Sequence, residues 1–136
     1  MNGLNLNMPE AAVVKIKYEM SLFNLQSRKS ALLIRYVVKS TGDVAITKMV
    51  ENAPGEKEVR KFRLDPLKVQ EMFQKVIICI YSDSAEVDYP VDDIGRRMYL
   101  SFENGSVRKL DGVYSCGNMN TEQLITELST YRLPGQ

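Results

Sequence analysis

Histidine and tryptophan are both missing from this chain of 136 residues. Without histidine the molecule lacks the usual general base, the commonest zinc and iron ligand, and the one side chain whose ordinary titration falls near pH 6. Two cysteines, Cys79 and Cys116, cannot build a disulfide framework or a four-ligand zinc site. No apolar run approaches the length that spans a bilayer. The opening Met1-Asn2-Gly3-Leu4-Asn5-Leu6-Asn7-Met8 has neither a basic n-region nor a continuous apolar h-region. A cytoplasmic protein with no membrane association is therefore expected. Neither sign of charge is in excess, with Lys and Arg numbering 18 against 17 Asp and Glu, a net charge of +1. That balance argues against a dedicated nucleic-acid binder, which needs clustered Lys and Arg.

What is present is one domain's worth of ordinary globular sequence, 44% apolar and 26% charged. Its organising stretch runs from Asp65 to Ser82. Asp65 can accept from free helical amides, and Pro66 presets φ at the first helical position. Val69, Met72, Phe73, Val76 and Ile80 then recur at three- and four-residue steps, so one stripe of a helix is apolar. Burying five such side chains stabilises by on the order of 10 kcal/mol before chain entropy is subtracted. Beyond Val76 the apolar residues Ile77, Ile78 and Cys79 widen the stripe. The pattern predicts a helix from Pro66 to Tyr81 with an enclosed C-terminal end.

Residues 1–12 read as a loose polar arm, and residues 13–134 as a single domain. Val14, Ile16, Tyr18 and Met20 alternate with polar neighbours, which predicts a strand with one wet face. The phase breaks at Leu22-Phe23, the mark of a bulge or a strand end. Ala31 to Lys39 has apolar residues on both faces and reads as a central strand. Val44 to Val50 returns after the Ser40–Asp43 turn. A second turn is expected around Pro54-Gly55, followed by a short strand from Val59 to Leu64. After the helix, Asp83 to Asp93 reads as an acidic loop. A hairpin follows, its strands meeting at Asn104-Gly105, where positive φ is available. A two-residue loop would set Val107 opposite Phe102, and a bulged three-residue loop would set Leu110 opposite Met98. Ser115 to Asn118 reads as a loop. Asn120 then caps a last helix with Gln123 placed to reach back to it, and Leu124, Ile125, Leu128 and Tyr131 form its stripe up to Pro134-Gly135. The expected fold class is α+β: an antiparallel sheet of about six strands, made of a four-strand meander and a hairpin. The two helices pack mainly on one face.

Three constellations could carry function. The carboxylates of Asp83, Glu86, Asp88, Asp92 and Asp93 offer oxygen ligands to a hard cation, but their spacing is not that of a helix-loop-helix calcium site. They read as a solvated connection, and no metal or cofactor is expected. Cys116 beside Ser115 and Gly117 has no histidine to activate it as a nucleophile and reads as a surface or half-buried loop thiol. Arg96, Arg97, Tyr99, Arg108 and Tyr114 are the candidate binding residues, a basic and aromatic hairpin surface suited to an acidic protein, a nucleotide or a phosphate. The chain is thus expected to be a small non-catalytic interaction protein, of inhibitor, immunity or adaptor type, that binds a protein partner. A binder of a small anionic ligand is the alternative, and an enzyme using carboxylates or Cys116 comes last.

Overall fold

The computed structural model describes residues 11–23, 31–50, 53–90 and 94–130. Four strands come first: β1 (Val13–Phe23), β2 (Ala31–Lys39), β3 (Asp43–Val50) and β4 (Ala53–Arg63). Helix α1 (Pro66–Tyr81) follows, then β5 (Glu86–Asp88), β6 (Ile94–Phe102), β7 (Val107–Asp111), β8 (Val113–Cys116) and β9 (Met119–Asn120). The described chain closes with α2 (Thr121–Thr126) and a 3-10 turn over Glu127–Thr130. Six strands form one antiparallel sheet in the order β4-β3-β2-β1-β6-β7, and β5-β8-β9 form a small second sheet. The architecture is α+β, with the helices on one side of the main sheet.

Period-two alternation decides which side that is. Tyr18 pairs with Tyr36 on β2 and with Met98 on β6, and Ile16 pairs with Val38 and Leu100, so these side chains share one face. Ile16, Tyr18, Val38 and Leu100 are all fully buried there, against Val69, Phe73 and Val76 of α1 and Ile125 of α2. Helix α1 fits because its length matches the sheet: sixteen residues reach about 24 Å, and six strands also span roughly 24 Å. Its start is fastened at one side of the sheet, where Leu64 N–H donates to Gly42 O at 2.8 Å in the β2–β3 turn. Asp65 Oδ1 accepts from Leu67 N–H at 3.0 Å as the cap. Its last residue, Tyr81, lies under the Arg108 guanidinium of the opposite edge strand at 4.8 Å.

Both ends of α1 fall where the sequence places them, and Ile77, Cys79 and Ile80 are buried with the stripe. The enclosure expected at that end comes from the second sheet, because β8 and β9 pack on α1 beside α2. In the hairpin the bulged alternative holds: Met98 pairs with Leu110, and Phe102 N–H donates to Ser106 O at 2.9 Å. Burial explains the choice, since this register encloses Leu110 and leaves Val107 61% exposed.

Several expectations need correction. The hairpin's return strand, whose pattern continues from Val107 to about Tyr114 in the sequence, ends at Asp111. Gly112, at φ +85°, turns the chain out of the main sheet; residues 113–115 pair with β5 instead, and Cys116 pairs with Met119 of β9. Ser115 and Cys116 are therefore strand residues, and the acidic loop contains a strand, Glu86–Asp88. Pro54-Gly55 lies within β4, beside a register shift between Met49 and Val50 that absorbs the irregular residues. Strand β1 keeps its register through Leu22 and Phe23, and its irregularity sits at the other end, between Val13 and Lys15. The last helix is shorter than its stripe suggested, passing into a 3-10 turn after Thr126. Tyr131, Pro134 and Gly135, together with the arm over residues 1–10, lie outside the described residues.

Candidate functional site

The face of the main sheet away from the helices is uncovered by any described element, and the strand registers order its side chains into rows. One row reads Arg63, Asp43, Lys39, Lys15, Ser101, Val107 from β4 to β7. The next reads Lys61, Ala45, Val37, Lys17, Tyr99, Lys109. Together they set six basic side chains against one carboxylate. That carboxylate, Asp43, lies 3.3 Å from Arg63 Nε and also accepts from Thr41 Oγ1 at 2.8 Å. The third row is balanced: Glu19 accepts from Arg35 Nε at 2.8 Å, and Arg97 stands opposite both Glu19 and Asp111. Positive charge is therefore concentrated in a band across the strands, bounded on one side by a row of mixed charge that contains the Arg35–Glu19 ion pair.

Two features shape this band. Tyr99 stands between Lys17 and Lys109 on the neighbouring strands, and the Lys17 ammonium lies over its ring at 4.4 Å. Such a contact at an exposed site is weak, about 0.5–1 kcal/mol, so Lys17 can exchange the ring for another partner at little cost. Towards β4 the small Ala45 lies in a shallow depression of ≈ 380 Å³ whose charged lining is Lys39, Lys61, Arg63 and the carboxylate of Asp43.

The helix side contains a second polar constellation, partly buried, in which the Arg96 side chain is enclosed and that of Glu122 is 31% exposed. Glu122 Oε1 accepts from Tyr18 Oη at 2.7 Å and from Arg96 Nε at 2.6 Å. Only 7% of the Arg96 side chain is exposed, and its guanidinium also donates to Ile94 O at 3.3 Å. Burial, then the Glu122 carboxylate, pushes the Tyr18 phenol far above its ordinary range, and Tyr36 is raised by the same causes in the same order. Asn120 Oδ1 accepts from Gln123 N–H at 2.7 Å, so the cap fixes the helical turn that carries Glu122. This cluster ties α2 to β1 and β6. Tyr18 and Arg96 share one oxygen of Glu122, so the cluster's main polar groups are engaged within the fold.

The five candidate binding residues are divided among different surroundings. Arg97 and Tyr99 lie on the open face. Arg96 is buried with Glu122, and Arg108 stacks on Tyr81 on the helix side. Tyr114 is half-buried against the core in β8, its N–H donating to Thr121 Oγ1 at 3.2 Å. The hairpin therefore does not present them as one patch. The residues that join Tyr99 are lysines from β1, β2, β4 and β7. Each strand's alternation already pointed Lys15, Lys17 and Lys61 outward, but their meeting on one open face depends on strand order, which no local pattern states.

Elsewhere, Cys79 is fully buried and burial raises its thiol, while Cys116 is half-buried with its Sγ 3.2 Å from Ser84 Oγ. Asp83, Glu86 and Asp88 are exposed, and Asp92 and Asp93 lie outside the described residues. A cleft of ≈ 530 Å³ lies between α1 and the start of β1, lined among others by Phe73, Ile77, Ser40, Gln74 and Glu103. The charged group on its lining is a carboxylate, which disfavours an anion there. No helix among the described residues is long and apolar enough to cross a membrane. Compared with protein-family models, with curated proteins and with solved structures, the chain matches none.

Proposed function

We propose that this chain is a non-catalytic interaction protein that docks an anionic macromolecule on the open face of its main sheet. The observation that carries this reading is the charge segregation: a molecule of net charge +1 sets six basic side chains against one carboxylate in two adjacent rows. A face that only kept the protein soluble would have both signs interspersed, as the third row does. A rigid sheet fixes where the lysine stems leave the backbone, so less freedom is lost on binding than from a loop.

Retention on a polyanionic matrix such as heparin tests the reading. The native chain is expected to elute well above the salt at which its net charge alone would release it. Lys15→Glu with Lys61→Glu should elute much earlier with an unchanged melting temperature. Lys68→Glu with Lys75→Glu makes the same change of charge on α1 and should elute near the native position. Equal losses in the two double variants would mean that bulk charge governs retention, and the open face would then have no special role.

A further inference from the structure

We infer that the partner on the open face is a single-stranded nucleic acid, its phosphates held by the lysine rows and one unpaired base stacked on Tyr99. The inference rests on the docking reading above and names the occupant of the same surface.

The type of cation is the first argument. The band is built mainly of lysine: Lys39 and Lys15 in one row, Lys61, Lys17 and Lys109 in the next, with Arg63 at the β4 edge. Protein–protein interfaces are depleted in lysine and enriched in arginine and large aromatics. Phosphate backbones, in contrast, are met by repeated point charges without a demand for bidentate geometry. Repetition is the second argument. Neighbours along one strand, Lys15 with Lys17 and Lys61 with Arg63, stand about 7 Å apart, and the strands repeat at about 4.8 Å. A flexible polyanion can therefore cross the sheet from Lys109 to Lys61 meeting a cation on four of the six strands, with the Glu19 and Asp111 row alongside and the one carboxylate in the band, Asp43, paired with Arg63.

Tyr99 decides between single and double strands. It is the aromatic ring in the two basic rows, and it is flanked by lysines on both sides. Stacking on a side chain needs an unpaired base; a duplex keeps its bases stacked on one another and gives such a ring nothing to hold. When Lys17 turns from the ring to a phosphate, the face it covered opens to a base. The net charge of +1, which argued against nucleic acid, sums two unlike surfaces and does not see this segregation.

The test is fluorescence anisotropy of the full chain with a labelled dT12 oligonucleotide, the matching duplex and poly-glutamate. Single-strand binding weakens by about 0.7 logarithmic unit per phosphate contact for each tenfold rise in salt. Five or six contacts thus predict a slope of about −3.5 to −4.2 for dT12. Lys15→Gln with Lys17→Gln should make the slope shallower by about 1.4. Tyr99→Ala should weaken dT12 binding by about 5- to 100-fold and leave the weaker duplex binding unchanged. Equal affinity for duplex and dT12, with Tyr99→Ala neutral, would overturn the single-strand assignment. Tighter binding to poly-glutamate, lost in the lysine variant, would overturn the nucleic acid while leaving the docking reading in place. Binding to none of the three at low salt would overturn both.

Discussion

At the scale of single residues, the most consequential contact is the one that Tyr18 makes with Glu122. A phenol on a fully buried strand position must find an acceptor, and the acceptor is a carboxylate carried in by the first turn of α2. Arg96 donates to the same oxygen and compensates the carboxylate's charge. Tyr18→Phe should cost about 1–2 kcal/mol at neutral pH, because Glu122 loses one donor and keeps the other. The pH dependence follows from the direction of the phenol shift. The folded pKa lies above the unfolded value of 10.0, so the stabilisation is fully present below about pH 10 and is lost as pH rises further. Urea midpoints from about pH 8 to 11 should therefore fall less steeply in Tyr18→Phe than in the native chain, with Tyr36 and Cys79, both raised, supplying part of the remaining slope. Identical slopes would show that Tyr18 is not linked to the transition. The two thiols make a parallel contrast. Cys116 should react with a thiol reagent in the folded state, and Cys79, with no exposed surface, only on unfolding. Labelling of both without denaturant would contradict the burial of α1's last turns.

At the scale of elements, α1 is where stability is concentrated. Phe73→Ala removes a ring that is 4% exposed and should cost roughly 3–5 kcal/mol. Lys75→Ala removes only an exposed ion pair to Glu71 and should change stability by less than about 0.5 kcal/mol. Equal urea midpoints for the two would sink the stripe assignment. The junction that starts α1 is equally demanding. Gly42 has φ +101°, and a Cβ there would stand 2.2 Å from Leu64 O, the residue whose N–H Gly42 O holds. Gly105 has φ +88° with open space around it. Gly42→Ala should therefore lower the melting temperature well beyond Gly105→Ala, which carries only the backbone strain of about 1–2 kcal/mol. Matching losses would mean that the close approach to Leu64 relaxes freely. These two sites also show what sequence reveals about elements. Helix α1 was legible because its cap, its Pro66 and its stripe are all local. The turn at Gly42 was legible as a turn, but its clamp on the helix start is a contact across more than twenty residues. Strands β5 and β9 carry no periodicity at two or three residues in length, and they exist only because β8 leaves the main sheet at Gly112 to pair with them.

At the scale of the whole molecule, function is argued from the difference between two faces of one sheet. Alternation along β1, β2 and β4 is visible in the sequence, and so is the outward direction of Lys15, Lys17 and Lys61. The meander β4-β3-β2-β1, the hairpin β6-β7 and the packing of both helices on one face were legible too; the hidden part was the pairing of β1 with β6, which brings strands from distant parts of the chain side by side. Arg96, Arg97 and Arg108 looked like one surface because they are close in sequence, and alternation separates them. Residues 108 and 109 isolate that effect. Arg108 stands opposite Leu100 and lies over Tyr81 on the helix side, while Lys109 stands opposite Tyr99 on the open face. Arg108→Glu and Lys109→Glu change the net charge equally, one residue apart on the same strand. Lys109→Glu should lower affinity for dT12 by about tenfold at low salt and leave the melting temperature unchanged, since an exposed lysine is replaced by an exposed glutamate. Arg108→Glu should lose the contact with Tyr81 and about 0.5–1 kcal/mol of stability, with oligonucleotide affinity falling by no more than about twofold. Measuring both variants in both assays separates face from bulk charge. Equal losses of affinity would show that the partner does not distinguish the two faces, and the open sheet would then have to be abandoned as its site.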